Sequence, residues 1–156
     1  MLQATRKKGF TLIELLIVIG IMGTLVTVLL PNFIGGRQRA KDTRRKLDVE
    51  QISSALEQYR SVAGVYPSSI THNCDAAKET LTYDSGSAGI VTFLSTVPQD
   101  PGCSTYKYYS TMTSTDYSVC AYLETATTGS AGITLPSDSC GTGINCNYCK
   151  GPYGQR

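Results

Sequence analysis

Residues 6–30 read RKKGFTLIELLIVIGIMGTLVTVLL. Three basic residues open this stretch, and the apolar run that follows, residues 10–30, contains one charged residue, Glu14. An apolar run of this length spans the hydrocarbon core of a bilayer as a single helix. It ends without the small-residue pair at which secretory signal peptides are cut. The sequence therefore predicts a membrane anchor, with its basic end in the cytoplasm and the later residues across the membrane.

Glu14 is the residue of this run that needs an explanation. A charged side chain at the centre of a bilayer costs about 2.5–3.5 kcal/mol on insertion scales, and residues 10–32 contain no Lys, Arg or His. We therefore expect the partner of Glu14 to come from outside the helix. Cleavage after Gly9 would create an α-amino group on Phe10, which a neighbouring copy could present to Glu14. The alternative is a neutral or hydrated carboxyl group near the membrane interface.

The order of these residues closely resembles the processing signature of type IV prepilins, a family that includes secretion-system pseudopilins. The matching features are the basic residues at 6–8, then Gly9, Phe10, the apolar run and the lone Glu14. The resemblance implies that a prepilin peptidase cuts between Gly9 and Phe10 and methylates the new amino terminus. It implies that Glu14 guides docking against the Phe10 amine of a neighbouring subunit. It also implies an inner-membrane assembly platform and minor pilins as partners.

The next segment, residues 31–63, is predicted to continue the helix beyond the membrane. Pro31 removes a backbone donor, so we expect the helix to bend or melt locally at that point. Apolar residues at helical spacing then predict a face that covers a folded head. These residues are Val49, Ile52, Leu56, Tyr59 and Ala63.

Residues 37–46 form a basic run, with six basic residues and one acid, Asp42. We expect a solvated or intersubunit surface there, to which the more acidic head of a neighbour could be attracted. Lipid headgroups are an alternative ligand. Nucleic acid is a further alternative with less support, because no aromatic residues are interleaved with the charges.

The last segment, residues 64–156, is rich in Ser, Thr, Gly, Tyr and Pro, which favour turns and short strands. We predict strands at residues 106–111 and 116–124, paired through a loop at 113–115. A third strand is expected at 132–136 or among the last residues. The expected product is a small antiparallel sheet packed on the apolar face of the helix.

All six cysteines lie in this last segment, and their even number beyond a membrane span predicts disulfides. They are Cys74, Cys103, Cys120, Cys140, Cys146 and Cys149. The pairing is not determined by the sequence, and our working set is Cys74–Cys103, Cys120–Cys140 and Cys146–Cys149. The alternative is a zinc site at Cys146-x-x-Cys149 with Cys140, but a second Cys-x-x-Cys is absent and His72 is the single histidine.

Residues 97–102, Val-Pro-Gln-Asp-Pro-Gly, are similar to the Pro-x-Asp-Pro loop of the major pseudopilins of type II secretion. Those proteins often bind calcium through several acidic residues in the loop after their sheet. The corresponding stretch here, residues 125–143, offers one acid, Asp138, and one carboxylate rarely holds calcium. We therefore expect no cofactor, with calcium poorly supported and disulfides stapling the loop instead.

These features predict an α+β protein: a long helical stem, partly transmembrane and partly amphipathic, packed on a small disulfide-stapled antiparallel sheet. Its segments are a cleaved leader (1–9), a membrane and filament-core helix (10–30), an amphipathic continuation (31–63) and a head (64–156).

We expect a structural subunit of a type IV pilus-like filament for adhesion, motility or DNA uptake, with a host surface or DNA as its target. It would be a single-pass membrane protein before assembly and an extracellular pilus afterwards. The alternatives are the major pseudopilin of a type II secretion system and a membrane-anchored metal-binding domain that does not polymerise. An enzyme is not expected, because the sequence has one histidine and no phosphate loop, nucleophile elbow or zinc-protease motif.

Overall fold

Helix α1 (Leu12–Ala63) runs through both the apolar stretch and the amphipathic stretch that follows it. The structure is a computed structural model that describes residues 9–72, 74, 79–126 and 134–155, without the side chains at 30–34 and 88. The basic leader residues at 6–8 lie outside this description. Two compact units divide the chain after Arg37. The apolar part of α1 belongs to the first unit, and the head belongs to the second.

In the first unit, the window Leu12–Leu29 has a mean hydropathy of 2.5, and none of it is buried within the chain. No other helix in the described part of the chain is long and apolar enough to cross a membrane. The helical backbone continues through Pro31, so the local melting predicted there is wrong. One proline removes a single helical hydrogen bond, which a long helix can tolerate. The bend expected at Pro31 stays a prediction.

The second unit adds two antiparallel sheets to the end of α1. A hairpin of β1 (Leu81–Asp84) and β2 (Ile90–Leu94) forms the first sheet. The second sheet has the strand order β3–β4–β5–β6. Its strands are β3 (Tyr109–Met112), β4 (Tyr117–Ala121), β5 (Tyr148–Gly151) and β6 (Gly154–Gln155). The pairing of β3 with β4 confirms the predicted hairpin, and the predicted third strand is β5, among the last residues.

The head core lies between α1 and the four-stranded sheet. Val49, Ile52 and Leu56 are fully buried on the helix and pack with β4. Tyr59 packs against the same core, and Ala63 at the helix end is half-buried. This arrangement confirms the apolar face predicted for α1. The other face of β4 is covered by a second cluster that contains four cysteines, so this strand is buried along its whole length.

The disulfides are Cys74–Cys103, Cys120–Cys149 and Cys140–Cys146. The first agrees with the prediction, whereas the predicted pairings Cys120–Cys140 and Cys146–Cys149 are wrong. Cys120 and Cys149 face each other in the register of β4 and β5, with their Cα atoms 4.1 Å apart. Cys140 and Cys146 are brought together by a tight loop that is closed by a bridge between Gly141 and Ile144. No cysteine is free, so the zinc alternative has no thiolate available.

Candidate functional site

Helix α1 begins next to the predicted processing site, and Glu14 lies in its first turn. The backbone N–H of Glu14 donates to Thr11 Oγ1 at 3.3 Å. In return, Glu14 Oε2 accepts the backbone N–H of Thr11 at 2.9 Å and its hydroxyl at 2.8 Å. This reciprocal arrangement is a capping box. It satisfies backbone donors that have no partner within the helix.

The capping box gives Glu14 a partner in its own chain, which our sequence analysis did not predict. The predictions were an external cation or a neutral or hydrated carboxyl group, although Thr11 and Glu14 have the Thr-x-x-Glu spacing that identifies this motif. Glu14 remains exposed in the single chain, as do Gly9 and Phe10 just before the helix. Cleavage between Gly9 and Phe10 and docking through Glu14 stay predictions.

A second polar site lies inside the head, around the fully buried side chain of Arg45. Its Nε and Nη2 donate to the carboxylate of Asp100 at 2.8 and 3.1 Å. Its Nη1 donates to Asp42 and to Glu124, at 2.9 Å in each case. The guanidinium carbon lies 4.7 Å from the ring centre of Tyr106. One side chain thus joins α1, the 97–102 loop and the segment after β4.

Asp42 connects the helix to the same segment by further hydrogen bonds. It accepts the backbone N–H of Glu124 at 2.9 Å, and the backbone N–H and hydroxyl of Thr125 at 2.8 and 2.6 Å. Burial acts to raise the pKa of Asp42, but the donors on Thr125, Glu124 and Arg45 outweigh it and lower that pKa. Burial also acts to lower the pKa of Arg45, while Asp100, Glu124 and Asp42 raise it above its usual value. Both groups are therefore charged at neutral pH.

The 97–102 loop is shaped to hold Asp100 against Arg45. Asp100 Oδ1 also accepts the backbone N–H of Gly102 at 2.6 Å. A Cβ atom on Gly102 would lie 2.9 Å from the Tyr106 ring and 3.3 Å from both Arg45 and Asp100. The close approach of these groups therefore requires glycine. The loop was predicted by resemblance. Its partner Arg45 was predicted to lie on a solvated or intersubunit surface, which is wrong because its side chain is fully buried.

The remaining metal candidates do not form a site in the described residues. No group of three or more His, Cys, Asp or Glu side chains is placed there to hold an ion. Asp138, the acid of the 125–143 loop, accepts the backbone N–H of Gly143 at 2.6 Å. This contact belongs to a local turn.

His72 is half-buried beside the Cys74–Cys103 disulfide, with both ring nitrogens shielded from solvent. Both groups border a cavity of about 250 Å³. Within the described part of the chain, neither ring nitrogen makes a hydrogen bond of normal geometry. The ring meets that of Tyr108 edge-on, with 6.0 Å between the ring centres. Burial lowers the pKa of His72 to about 4, and the backbone of Pro98 opposes part of this shift. His72 is therefore neutral at physiological pH.

The amino-terminal segment matches a known sequence motif. Residues 4–30 match the prokaryotic N-terminal methylation motif. The match covers residues 4–9 of the leader, the capping box and the apolar window Leu12–Leu29. It confirms the prepilin-like class and, together with the apolar helix, indicates a membrane anchor.

Residues 32–135 match the family described as type II secretion system (T2SS), protein G, and this chain belongs to that family. The type II secretion system core protein G of Aeromonas hydrophila is 29% identical, over 70% of this chain and 77% of its own length. The core protein G of Vibrio cholerae is 26% identical, over 70% of this chain and 75% of its own length. That of Pseudomonas aeruginosa is 36% identical, over 43% of this chain and 47% of its own length. No solved structure gave a significant match.

These matches distinguish between the two filament subunits that the sequence suggested, a pilin and a type II secretion pseudopilin. A pilin-like subunit was predicted, and the family confirms it at that coarse level. The matches support the alternative, a type II secretion pseudopilin, and give no specific support to a pilus for adhesion, motility or DNA uptake.

Proposed function

We propose that this protein is the major subunit of the pseudopilus of a type II secretion system. The match of residues 32–135 to the protein G family carries the proposal. The names of its relatives, core protein G in each case, support the same role. In this proposal the protein acts by assembly with copies of itself and has no catalytic activity.

The proposed mechanism starts with a precursor held in the inner membrane by the apolar part of α1. Prepilin peptidase cuts after Gly9 and creates the Phe10 amine. A carboxylate can accept about four hydrogen bonds, so Glu14 can receive a neighbour's amine while it still caps its own helix through Thr11. The assembly platform then adds the subunit to the filament. Burial of apolar stems against one another drives this addition.

The head must stay folded while α1 is pulled from the membrane. The Arg45 site ties the helix to the 97–102 loop and to the segment after β4 through buried, charge-assisted hydrogen bonds. β4 is tied in turn to β5 by the Cys120–Cys149 disulfide. We infer that these two connections transmit a pull on the amphipathic part of α1 to β4 and β5, so that the head is moved without unfolding.

Deletion of the gene tests the proposed system. We expect substrates of the secretion pathway to accumulate folded in the periplasm and to disappear from the medium, while surface pili and twitching motility remain normal. Complementation with the wild-type gene should restore release. Normal secretion with lost pili or lost motility would contradict the proposal and support a pilus subunit.

Glu14→Ala tests the docking step within that system. The variant should insert into the membrane and be cleaved, because the processing site and the apolar run are kept, but it should not restore secretion or form sheared-off filaments. Ile17→Ala is the matched control, since it shortens a nearby side chain and leaves the carboxylate in place. Full secretion by Glu14→Ala would contradict the docking role.

A further inference from the structure

Four exposed basic side chains stand at the start of the second unit and take no part in the sites described above. They are Arg39, Lys41, Arg44 and Lys46, which we call the basic collar. With 3.6 residues per turn, these positions are spread around α1 instead of forming one stripe. A collar of this kind can present positive charge in several directions from the helix.

The acid within this stretch does not neutralise the collar. Asp42 is buried, and its carboxylate is occupied by Arg45 and by donors of Glu124 and Thr125. Arg45 is buried as well, so neither charge of this pair is on the surface. Arg45 also contacts the carboxylates of Asp100 and Glu124, so the network has an excess of negative charge. This excess is largely buried, and the four collar cations remain the surface charges of the stretch.

Arg44 has one weak acidic contact, with Asp48. The Arg44 side chain is 68% exposed and lies 3.9 Å from the Asp48 carboxylate, which also accepts the Tyr108 hydroxyl at 2.7 Å. An exposed ion pair of this length contributes little and is screened by salt. The contact therefore leaves Arg44 able to bind another anion.

The position of the collar in the chain indicates a ligand. It follows the membrane-crossing window, which ends at Leu29, by ten to seventeen residues. On the cytoplasmic side, groups of four to eight Lys and Arg residues next to a transmembrane helix bind anionic lipid headgroups. The same Coulomb attraction acts on anionic headgroups of the opposite leaflet, where our orientation places the collar. Arg can bind a phosphate through two hydrogen bonds, and the long stems of Lys and Arg let their charges reach the headgroups.

We propose that the basic collar binds the anionic phospholipid headgroups of the membrane in which the precursor is anchored. The inference rests on membrane anchoring and does not depend on which filament system uses the chain. Binding would hold the start of the head at the membrane surface until the subunit is extracted. Extraction would then break these contacts, so a membrane with more anionic lipid would raise the free energy needed to extract the subunit.

The competing partner is the acidic surface of a second copy. Exposed acids of the described head already have partners in the same chain. Glu50 pairs with Lys150 of the same chain, and Glu57 accepts the hydroxyl of Tyr66, which also binds Arg60. Asp84 holds the backbone N–H of Gly86 in a turn. The lipid surface, with many mobile anions, fits four dispersed cations better.

Native mass spectrometry of the full-length chain in neutral detergent tests the proposal. The chain is titrated with dioctanoyl phosphatidylglycerol and with phosphatidylcholine of the same chain length. We expect the anionic lipid to bind about tenfold tighter or more, and the preference to shrink as salt is raised. Arg39→Gln/Lys41→Gln should weaken binding of the anionic lipid by about fivefold for each charge removed. Arg60→Gln/Lys107→Gln loses the same net charge elsewhere on the head and should keep the preference.

Three results would overturn the proposal. The first is equal binding of the two lipids by the wild-type chain, and the second is an equal loss in both double variants. The third is a collar variant that keeps its lipid preference but no longer associates with wild-type copies, which would assign the collar to a subunit interface. Near-UV circular dichroism checks that each variant is folded. If Arg39→Gln/Lys41→Gln does not fold, Arg44→Gln/Lys46→Gln gives the same test.

Discussion

The buried guanidinium of Arg45 gives the sharpest prediction for the stability of the head. Arg45→Met removes the cation but keeps most of the apolar volume. Asp100, whose side chain is also fully buried, then loses two donors and keeps the N–H of Gly102. Asp42 is affected less, because the donors of Glu124 and Thr125 remain. Removing one partner of a buried ion pair costs about 3–5 kcal/mol.

Thermal unfolding of the full-length chain in detergent, with its disulfides intact, measures this cost through the near-UV signal of the tyrosines. A unit of this size loses about 3–5 °C in Tm for each kcal/mol, so we expect a decrease of about 10–20 °C. Arg44→Met is the matched control. Its side chain is 68% exposed, with one contact at 3.9 Å, and its loss should cost less than about 1 kcal/mol. A similar small effect for Arg45→Met would refute our account of the buried network.

Three further perturbations test other parts of the head by urea denaturation. Cys120→Ser/Cys149→Ser should lower the free energy of unfolding by about 3–4 kcal/mol, and Cys140→Ser/Cys146→Ser should lower it by about 2 kcal/mol. The first effect is larger because its bridge spans 29 residues and the second spans 6. The reverse order would contradict the entropic explanation. Burial lowers the pKa of His72 to about 4, so the unfolded chain binds more protons between pH 6.5 and 4, and stability should fall by about 2–3 kcal/mol as pH decreases through that window. His72→Gln should remove this dependence, and an unchanged pH profile would exclude His72 as its source. Gly102→Ala should cost about 1–3 kcal/mol, since its Cβ would meet the Tyr106 ring at 2.9 Å; a neutral effect would show that the loop can move.

The sequence predicted the features that depend on local pattern. The apolar run and the helical stripe with Val49, Ile52 and Leu56 follow from periodicity, and both lie where expected. The β3–β4 hairpin follows from two apolar stretches separated by a short polar loop. Each of these signals is contained in neighbouring residues of the chain.

The features that were missed depend on contacts between distant residues. The Cys120–Cys149 bridge follows from the register of β4 and β5, which no local pattern specifies. In the sequence, Arg45 does not differ from the other basic residues of its run. It is buried because it binds Asp100 and Glu124, which lie 55 and 79 residues further along the chain. The hairpin of β1 and β2 was also not predicted, although β2 reads Ile-Val-Thr-Phe-Leu, a composition that favours a strand.

Thr11 is a different kind of miss, because its signal was local. The Thr-x-x-Glu spacing of residues 11–14 was present in the sequence, but it lies within an apolar run that had already been assigned to the membrane. The partner predicted for Glu14 was an external cation, with a neutral or hydrated carboxyl group as the alternative, whereas the helix start supplies a hydroxyl and a backbone N–H. A Thr-x-x-Glu pattern at the start of an apolar run therefore predicts a capped helix start.

The central claim is that the chain is a membrane-held precursor, processed after Gly9, whose head is closed by three disulfides. Intact-protein mass spectrometry of the chain purified from its own cells, before and after reduction, tests this claim most directly. We predict a chain that starts at methylated Phe10 and is six hydrogens lighter before reduction than after it. A chain that keeps residues 1–9 and has free thiols would contradict the claim.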